Sequence, residues 1–253
     1  MKEIMKNRYE LVCEEGPVEL FVNGQRLLTF MCTPENLREL ALGHMYSRQL
    51  IHSVEDVLTL GACDDVKKIF ATTANPLPTE DYGLGSVLAS GCGSGTVFSE
   101  SFLEKNRNPS EITVSLEKLQ DLTMQMFRRA QGYKTTGGFH SAALVSGEEI
   151  VALYEDVGRH NAVDKAIGKG MFLEVDFMQS VMITTGRISS DMILKAVASN
   201  IPIVVSRSIP TSLALEIAEK MGITIVGRIT NKEPIVFTGS HRMIYENRQT
   251  ACM

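Results

Sequence analysis

The sequence has no tryptophan and only 6% aromatic residues, and its formal net charge is −5 at pH 7. Proteins that bind single-stranded nucleic acid stack the bases on aromatic side chains and carry local positive charge, so we expect no nucleic-acid partner. No apolar run approaches the roughly 18 residues that a membrane-spanning helix needs, so we expect no membrane partner either. Apolar residues still make up 44% of the chain, which is enough for a globular core.

Paired cysteines are also lacking. The chain has Cys13, Cys32, Cys63, Cys92 and Cys252. None of them forms a Cys-x-x-Cys pair or stands at a spacing typical of a metal site. The first nine residues include basic side chains but no apolar stretch, so they are not typical of a secretory signal. We therefore expect reduced thiols, no bound metal and a cytoplasmic location.

The N-terminal part of the sequence contains clear turn and helix signals. Residues 18–32 predict a hairpin, because strand-like segments flank Asn23-Gly24, a pair typical of a type I′ turn. Thr33 and Pro34 then predict the start of a helix, with Thr33 as its cap.

The last third of the sequence alternates predicted strands and helices. Apolar strands are predicted at 181–184, 203–206 and 223–227, with helices at 191–199 and 212–221 between them. This order predicts a parallel sheet covered by helices. A charged stretch upstream, residues 104–111, indicates a boundary between an N-terminal α+β region (1–108) and an α/β domain (109–253).

Residues 155–168 hold the densest group of polar side chains in the chain. The group consists of Asp156, Arg159, His160, Asn161, Asp164 and Lys165. If a helix begins after Gly158, His160 and Asp164 share one of its faces. Dense ionisable clusters tend to mark functional sites, although a solvated amphipathic helix would give the same pattern.

An arginine follows each of the three predicted parallel strands, namely Arg187, Arg207 and Arg228. The carboxyl ends of such strands meet at one edge of a sheet, where ligands bind. Arginine side chains beside helix N-termini form anion sites. The three arginines thus predict a polyanion such as a nucleotide diphosphate, unless they pair with carboxylates of the protein itself.

Cys92 stands in a glycine-rich segment, directly between Gly91 and Gly93. Glycine contributes little burial, so such a cysteine is more typical of a thiol that contacts another molecule than of a packed one. An incidental cysteine in a linker is the alternative. The segment lacks the lysine of a P-loop, so nucleotide binding there is not favoured.

Three segments together closely resemble the formate dehydrogenase accessory sulfurtransferases, the FdhD family. They are residues 156–165, 185–187 and 206–212, and residues 22–24 and 33–34 also fit that family. The resemblance implies an α/β class fold, a cytidine deaminase-like three-layer fold with a smaller N-terminal α+β domain. It also implies a homodimer.

The function implied by the resemblance is that of a sulfurtransferase. Such a protein takes sulfur as a persulfide from a cysteine desulfurase. It passes that sulfur to the molybdenum cofactor in its bis(molybdopterin guanine dinucleotide) form, which formate dehydrogenase requires. The carrier cysteine of the family maps onto Cys92.

The predicted cofactor contacts come from two sources. The resemblance maps a contacting stretch onto Phe237, Thr238, Gly239, Ser240, His241 and Arg242. To these we add Arg187, Arg207 and Arg228, which suit the GDP-like part of the cofactor, and His160.

The sequence departs from the family pattern at one point. The family loop usually reads Cys-x-x-Cys, whereas this chain has Cys92-Gly93-Ser94-Gly95. A persulfide on Cys92 needs no second cysteine, but a resolving disulfide in the loop does. A chaperone that binds the guanylylated cofactor without performing chemistry is therefore the alternative function. Zinc-dependent deamination needs His-x-Glu and Pro-Cys-x-x-Cys; the sequence has neither, so we predict no zinc.

Overall fold

The N-terminal sheet is built on the predicted hairpin. In this computed structural model, which describes residues 12–63, 66–77, 87–88 and 107–245, β1 (Gly16–Val22) pairs antiparallel with β2 (Gln25–Cys32). Asn23 and Gly24 have the positive φ angles, 53° and 80°, that the turn requires, so the hairpin is confirmed. Strands β3 (Val57–Cys63), β4 (Lys68–Thr73) and β5 (Val87–Leu88) complete the order β3-β4-β1-β2-β5.

Helix α1 (Leu37–Ser47) begins later than the sequence predicts. Its N-cap is Asn36, which has a left-handed backbone, so the prediction that Thr33 caps this helix is wrong. Thr33 instead binds the end of a distant strand: its amide donates to Asp156 Oδ2 (3.2 Å), and its hydroxyl accepts from the amide of Val157 (3.3 Å). The hydroxyl oxygen, which is the group that a cap would use, is thus engaged by Val157.

A helical segment connects the two halves of the described chain. Strand β6 (Val114–Ser115) leads into α2 (Leu116–Arg129), whose first turn is capped by the Ser115 hydroxyl. The short helix α3 (Gln131–Thr136) follows directly.

A mixed six-stranded sheet forms the centre of the C-terminal half. Its strands are β7 (His140–Ser146), β8 (Glu149–Asp156), β9 (Ser180–Thr184), β10 (Ile203–Ser206), β11 (Thr224–Gly227) and β12 (Ile235–Thr238), in the order β12-β11-β10-β9-β7-β8. The three strands predicted as parallel, β9, β10 and β11, are parallel. The others are antiparallel to their neighbours. A last strand, β13 (Met243–Ile244), pairs with β6.

Three helices follow strands of this sheet: α4 (Arg159–Phe172), α5 (Ser190–Ala198) and α6 (Ser212–Met221). Alternate residues of one strand face different layers. Val204 packs into a core shared with α1, α4, α5 and the N-terminal sheet, whereas Ile203 and Val205 pack against α2. The α/β fold class is thus confirmed.

Helices α1 and α4 cross with their backbones in contact. A Cβ atom at Gly168 would lie 2.0 Å from the carbonyl oxygen of Glu39, and one at Gly43 would lie 1.8 Å from that of Asp164. Leu40 and Ala166 share the same core, so this core draws on both sides of the predicted boundary at residue 108. The boundary itself stays a prediction. In the described ranges, no helix is long and apolar enough to cross a membrane.

Candidate functional site

The loops that follow β9, β10 and β11 form one hydrogen-bonded surface, which we call the carboxyl edge (residues 185–189, 207–211 and 228–229). Two hydrogen bonds join the first two loops. The Ser206 hydroxyl donates to the carbonyl oxygen of Gly186 (2.6 Å), and the amide of Ile188 donates to the carbonyl oxygen of Ile209 (3.2 Å). The third loop is attached by the amide of Arg228, which donates to Ser208 (2.9 Å). The carboxyl edge is therefore held together by main-chain bonds and by the Ser206 hydroxyl.

All three predicted arginines lie exposed on the carboxyl edge. Within the described residues, none of them forms an ion pair with a carboxylate, so the pairing that the sequence left open is not seen there. Arg187 and Arg228 have no side-chain hydrogen-bond partner among those residues. Arg207 differs, because its guanidinium donates to the hydroxyl of Tyr133 and lies 6.0 Å from the ring centroid of Phe127.

Helix N-termini reach the same surface. Thr211 caps α6 by accepting from the amide of Ala214 (3.4 Å). At α4 the N-cap is Gly158, and at α5 it is Ser189, and neither makes a side-chain capping bond. The buried Ser189 hydroxyl has no partner among the described residues. First-turn amides at these two helices are therefore not bound by an N-cap side chain, and amides of this kind bind anions.

Asp156 and Lys165, from the densest motif, lie in the interior rather than at the carboxyl edge. Both side chains are 0% exposed, and Lys165 Nζ lies 2.7 Å from Asp156 Oδ2. Asp156 also accepts from Gly158 (2.8 Å) and Asn161 (3.0 Å), and Lys165 donates to the carbonyl oxygen of Thr33 (3.0 Å). This buried group joins α4 to the start of the segment before α1.

Asp164 anchors a second buried group between α1, α4 and α5. Its carboxylate accepts from Lys195 Nζ (2.7 Å) and from Ser47 (2.9 Å), and His44 Nδ1 lies at 3.2 Å. Burial alone would raise the pKa of Asp164, but the Lys195 ammonium and the His44 contact hold it well below its usual range. Burial lowers the pKa of His44 to about 4. These buried contacts hold the three helices together, so we assign this group a structural role.

Two histidines belong to the site region. Burial, with Lys195 and Arg159 nearby, lowers the pKa of His160 to about 4. Its Nε2 atom is buried without a hydrogen-bond partner in the described ranges. His140 lies with Nδ1 3.5 Å from Thr185 Oγ1, and burial together with Arg159 lowers its pKa. Both are therefore neutral at pH 7 and can accept or donate one hydrogen bond at each ring nitrogen.

The predicted stretch 237–242 lies elsewhere. Residues 237–241 line a cleft of about 390 Å³ together with Arg107 and Glu219, near the amino end of β11. Arg242 is 2% exposed and donates to the carbonyl oxygens of Ser110 (2.8 Å) and Gly222 (2.7 Å). Residues 238–242 are therefore separated from the three arginines by the length of β11, whereas the Phe237 ring lies against Gly227, the residue before Arg228.

Cys92 lies outside the described residues. Among the free cysteines that are described, Cys63 is exposed and Cys32 is buried, with burial raising the pKa of the Cys32 thiol to about 12. No three His, Cys, Asp or Glu side chains in the described ranges cluster in a way that could hold a metal ion. The expectation of no zinc stays a prediction.

Sequence reasoning missed Tyr133 and Glu155. The Glu155 carboxylate accepts from the amides of Gly132 and Tyr133, both at 2.8 Å, and so holds the start of α3. Tyr133 in turn contacts Arg207. Tyr133 lies in the glycine-rich polar segment 132–141, and Glu155 opens the stretch 155–168, but neither position shows from the sequence what its side chain contacts.

Comparisons with known proteins identify the family. The model of the FdhD/NarQ family matches residues 13–244. The "Sulfur carrier protein FdhD" of Geobacillus kaustophilus is 32% identical over 235 residues, which are 91% of this chain and 89% of that protein. The protein of the same name from Sulfolobus acidocaldarius is 36% identical over 241 residues, 92% of this chain and 91% of that one. This chain belongs to the FdhD/NarQ family, as its motifs predict.

A solved structure has a fold similar to that of this chain. It is that of a protein from Desulfotalea psychrophila described as a candidate formate dehydrogenase accessory protein. The two chains superpose with a TM-score of 0.76 at 24% identity, over 91% of this chain and 90% of the other.

Proposed function

We propose that this protein is a sulfur carrier that receives sulfur as a persulfide on Cys92. It passes the sulfur to the bis(molybdopterin guanine dinucleotide) form of the molybdenum cofactor, on behalf of formate dehydrogenase. The family match over residues 13–244, which include Cys92, is the observation that supports this most strongly. Relatives that align with nine-tenths of the chain are named as sulfur carriers.

The first step is a thiol exchange. The Cys92 thiolate attacks the outer sulfur of a persulfide on a cysteine desulfurase, and the bond between that sulfur and the donor cysteine breaks. The donor leaves as a thiolate, so no net oxidation occurs. Delivery of the sulfur as sulfide consumes two electrons, for which a reducing thiol is a suitable source.

The carboxyl edge is suited to the nucleotide part of the cofactor. It combines three exposed arginines that have no carboxylate partner among the described residues with two helix N-termini whose N-cap side chains make no capping bond. Guanidinium groups and first-turn amides bind phosphate oxygens. We propose that Arg187, Arg207 and Arg228 hold a diphosphate and that neutral His160 faces the same ligand. The cleft at 237–241 remains a second proposed contact with the cofactor.

The partners of the proposed reaction follow from its chemistry. They are a cysteine desulfurase as sulfur donor and formate dehydrogenase as recipient of the cofactor. A homodimer and a cytoplasmic location, both expected from the sequence, belong to the same proposal.

Intact-mass spectrometry tests the persulfide directly. The protein is incubated with a cysteine desulfurase and L-cysteine, and we expect a mass increase of one sulfur atom. Cys92→Ala should abolish the increase, whereas Cys63→Ala, which removes an exposed thiol, should retain it. An adduct that persists in Cys92→Ala would show that another residue carries the sulfur.

A cofactor-binding chaperone without chemistry is the second candidate, and the glycine at position 95 favours it, since the family usually has a cysteine there. The two functions differ in cells that depend on this protein for active formate dehydrogenase. Cys92→Ala would still support activity if the protein is a chaperone, and would abolish it if the protein is a sulfur carrier.

A further inference from the structure

We propose that Tyr133 is a positioning residue of the carboxyl edge, which holds the guanidinium of Arg207 in the orientation that binds a nucleotide diphosphate. The inference rests on the proposed function, because it takes the carboxyl edge as the diphosphate site. It adds a residue that neither the motifs nor the family resemblance singled out.

Two aromatic residues fix the side chain of Arg207. Its Nη1 donates to the hydroxyl oxygen of Tyr133, and its Cζ lies 6.0 Å from the centroid of the Phe127 ring. The two rings also contact each other, with centroids 5.9 Å apart. A guanidinium has five N–H donors, and this is the one side-chain hydrogen bond that Arg207 makes within the described residues. Most of its donors are therefore left for a ligand.

Tyr133 is itself held by the central sheet. Glu155, in β8, accepts from the amide of Tyr133 through Oε1 and from the amide of Gly132 through Oε2, each at 2.8 Å. The Ser141 hydroxyl, on the neighbouring strand β7, approaches the same carboxylate at 3.3 Å. A carboxylate at the first turn of a helix is favourable, because it meets unpaired amides there. Glu155 of β8 thus holds Tyr133, and Tyr133 in turn holds the guanidinium of Arg207.

The other two arginines lack this support. Arg187 and Arg228 follow equivalent strands and are exposed, but in the described part of the chain no side chain binds their guanidinium groups. A free arginine loses rotamer entropy when it binds a ligand, whereas a side chain that is already held loses less. We therefore expect Arg207 to contribute more to diphosphate affinity than either of the others.

Titration with GDP tests the role of Tyr133. Tyr133→Phe keeps the ring beside Phe127 and removes only the hydroxyl. We expect the dissociation constant for GDP to rise about two- to tenfold, the fold-change that corresponds to the net contribution of one ordinary hydrogen bond. Tyr46→Phe is the matched control, because Tyr46 stacks on Phe177 in another layer, and it should leave the constant unchanged.

A double variant separates positioning from a general structural effect. If Tyr133 acts through Arg207, then Tyr133→Phe should have no further effect in the Arg207→Ala background, but its full effect in the Arg187→Ala background. Phe127→Leu, which removes the ring under the guanidinium, should also weaken GDP binding, by about two- to fivefold.

The outcomes distinguish this inference from the proposed function. Unchanged affinity in Tyr133→Phe, or an equal loss with and without Arg207, would overturn the role of Tyr133 while the arginine site stands. Unchanged affinity in Arg207→Ala would overturn the diphosphate site and the role of Tyr133 together. The sulfur adduct on Cys92 is measured separately and depends on neither result.

Discussion

The carboxyl edge and the interior around α4 are both rich in charged groups, but they satisfy those groups in opposite ways. Around α4, Lys165 is paired with Asp156, and Lys195 with Asp164, with every side chain buried. At the carboxyl edge, the arginines are exposed and have no carboxylate partners among the described residues. In the sequence, charged residues drew attention to both regions. The availability of the charges, rather than their number, distinguishes a binding surface from a structural network.

The largest expected effect comes from breaking the buried pair. Lys165→Met leaves the Asp156 carboxylate without its ammonium in a fully buried position. Removing one partner of such a pair typically costs about 3–5 kcal/mol of the free energy of unfolding, which urea denaturation would measure. Lys169→Met, on the same helix but partly exposed, should cost far less. Equal losses in the two variants would show that the interior pair behaves like a surface group.

The lowered pKa values of His44 and His160 predict that stability decreases as pH falls. The pKa of both His44 and His160 drops from 6.5 to about 4 on folding. Between these values the unfolded chain binds protons that the folded one does not, so the free energy of unfolding decreases as pH falls from 6.5 to 4. The slope is at most about 1.4 kcal/mol per pH unit for each histidine.

Urea denaturation at several pH values checks this slope. His44→Gln removes one of the two titrating groups and should make the dependence less steep in this window. His52→Gln, at an exposed position, should leave the dependence as it is. A free energy of unfolding that stays constant from pH 6.5 to 4 would contradict the burial of both imidazoles.

The smallest expected effect on stability is at the carboxyl edge. Arg187→Ala and Arg228→Ala remove side chains that contact no carboxylate in the described chain. We expect the free energy of unfolding to change by no more than about 0.5 kcal/mol, while the affinity for GDP decreases. A loss of stability as large as that in Lys165→Met would place these arginines with the structural networks and remove the contrast between the two regions.

Local sequence signals were sufficient for part of the fold and part of the site. The Asn23-Gly24 turn and the alternation in the last third predicted the hairpin and the parallel strands, because their causes are local. The same alternation placed Arg187, Arg207 and Arg228 at one edge of a sheet. No local pattern could separate Asp156 from these arginines, since its burial depends on Thr33, more than a hundred positions away.

The failures at Thr33 and Tyr133 share this physical reason. Threonine is a common helix cap, but the hydroxyl of Thr33 accepts a hydrogen bond from the amide of Val157. The sequence does not place these two residues close together. Tyr133 contacts Arg207 through a hydroxyl whose partner lies on a loop after β10. Long-range hydrogen bonds decide the role of both residues.

The crossing of α1 and α4 at Gly43 and Gly168 also bears on how the protein unfolds. Because the two backbones touch there, neither helix can separate without exposing the carboxylate and ammonium groups packed beside the crossing. Separation of α1 from α4 would therefore also open the core that both helices share with the N-terminal sheet. We expect the regions on either side of residue 108 to lose their structure in a single cooperative transition on heating.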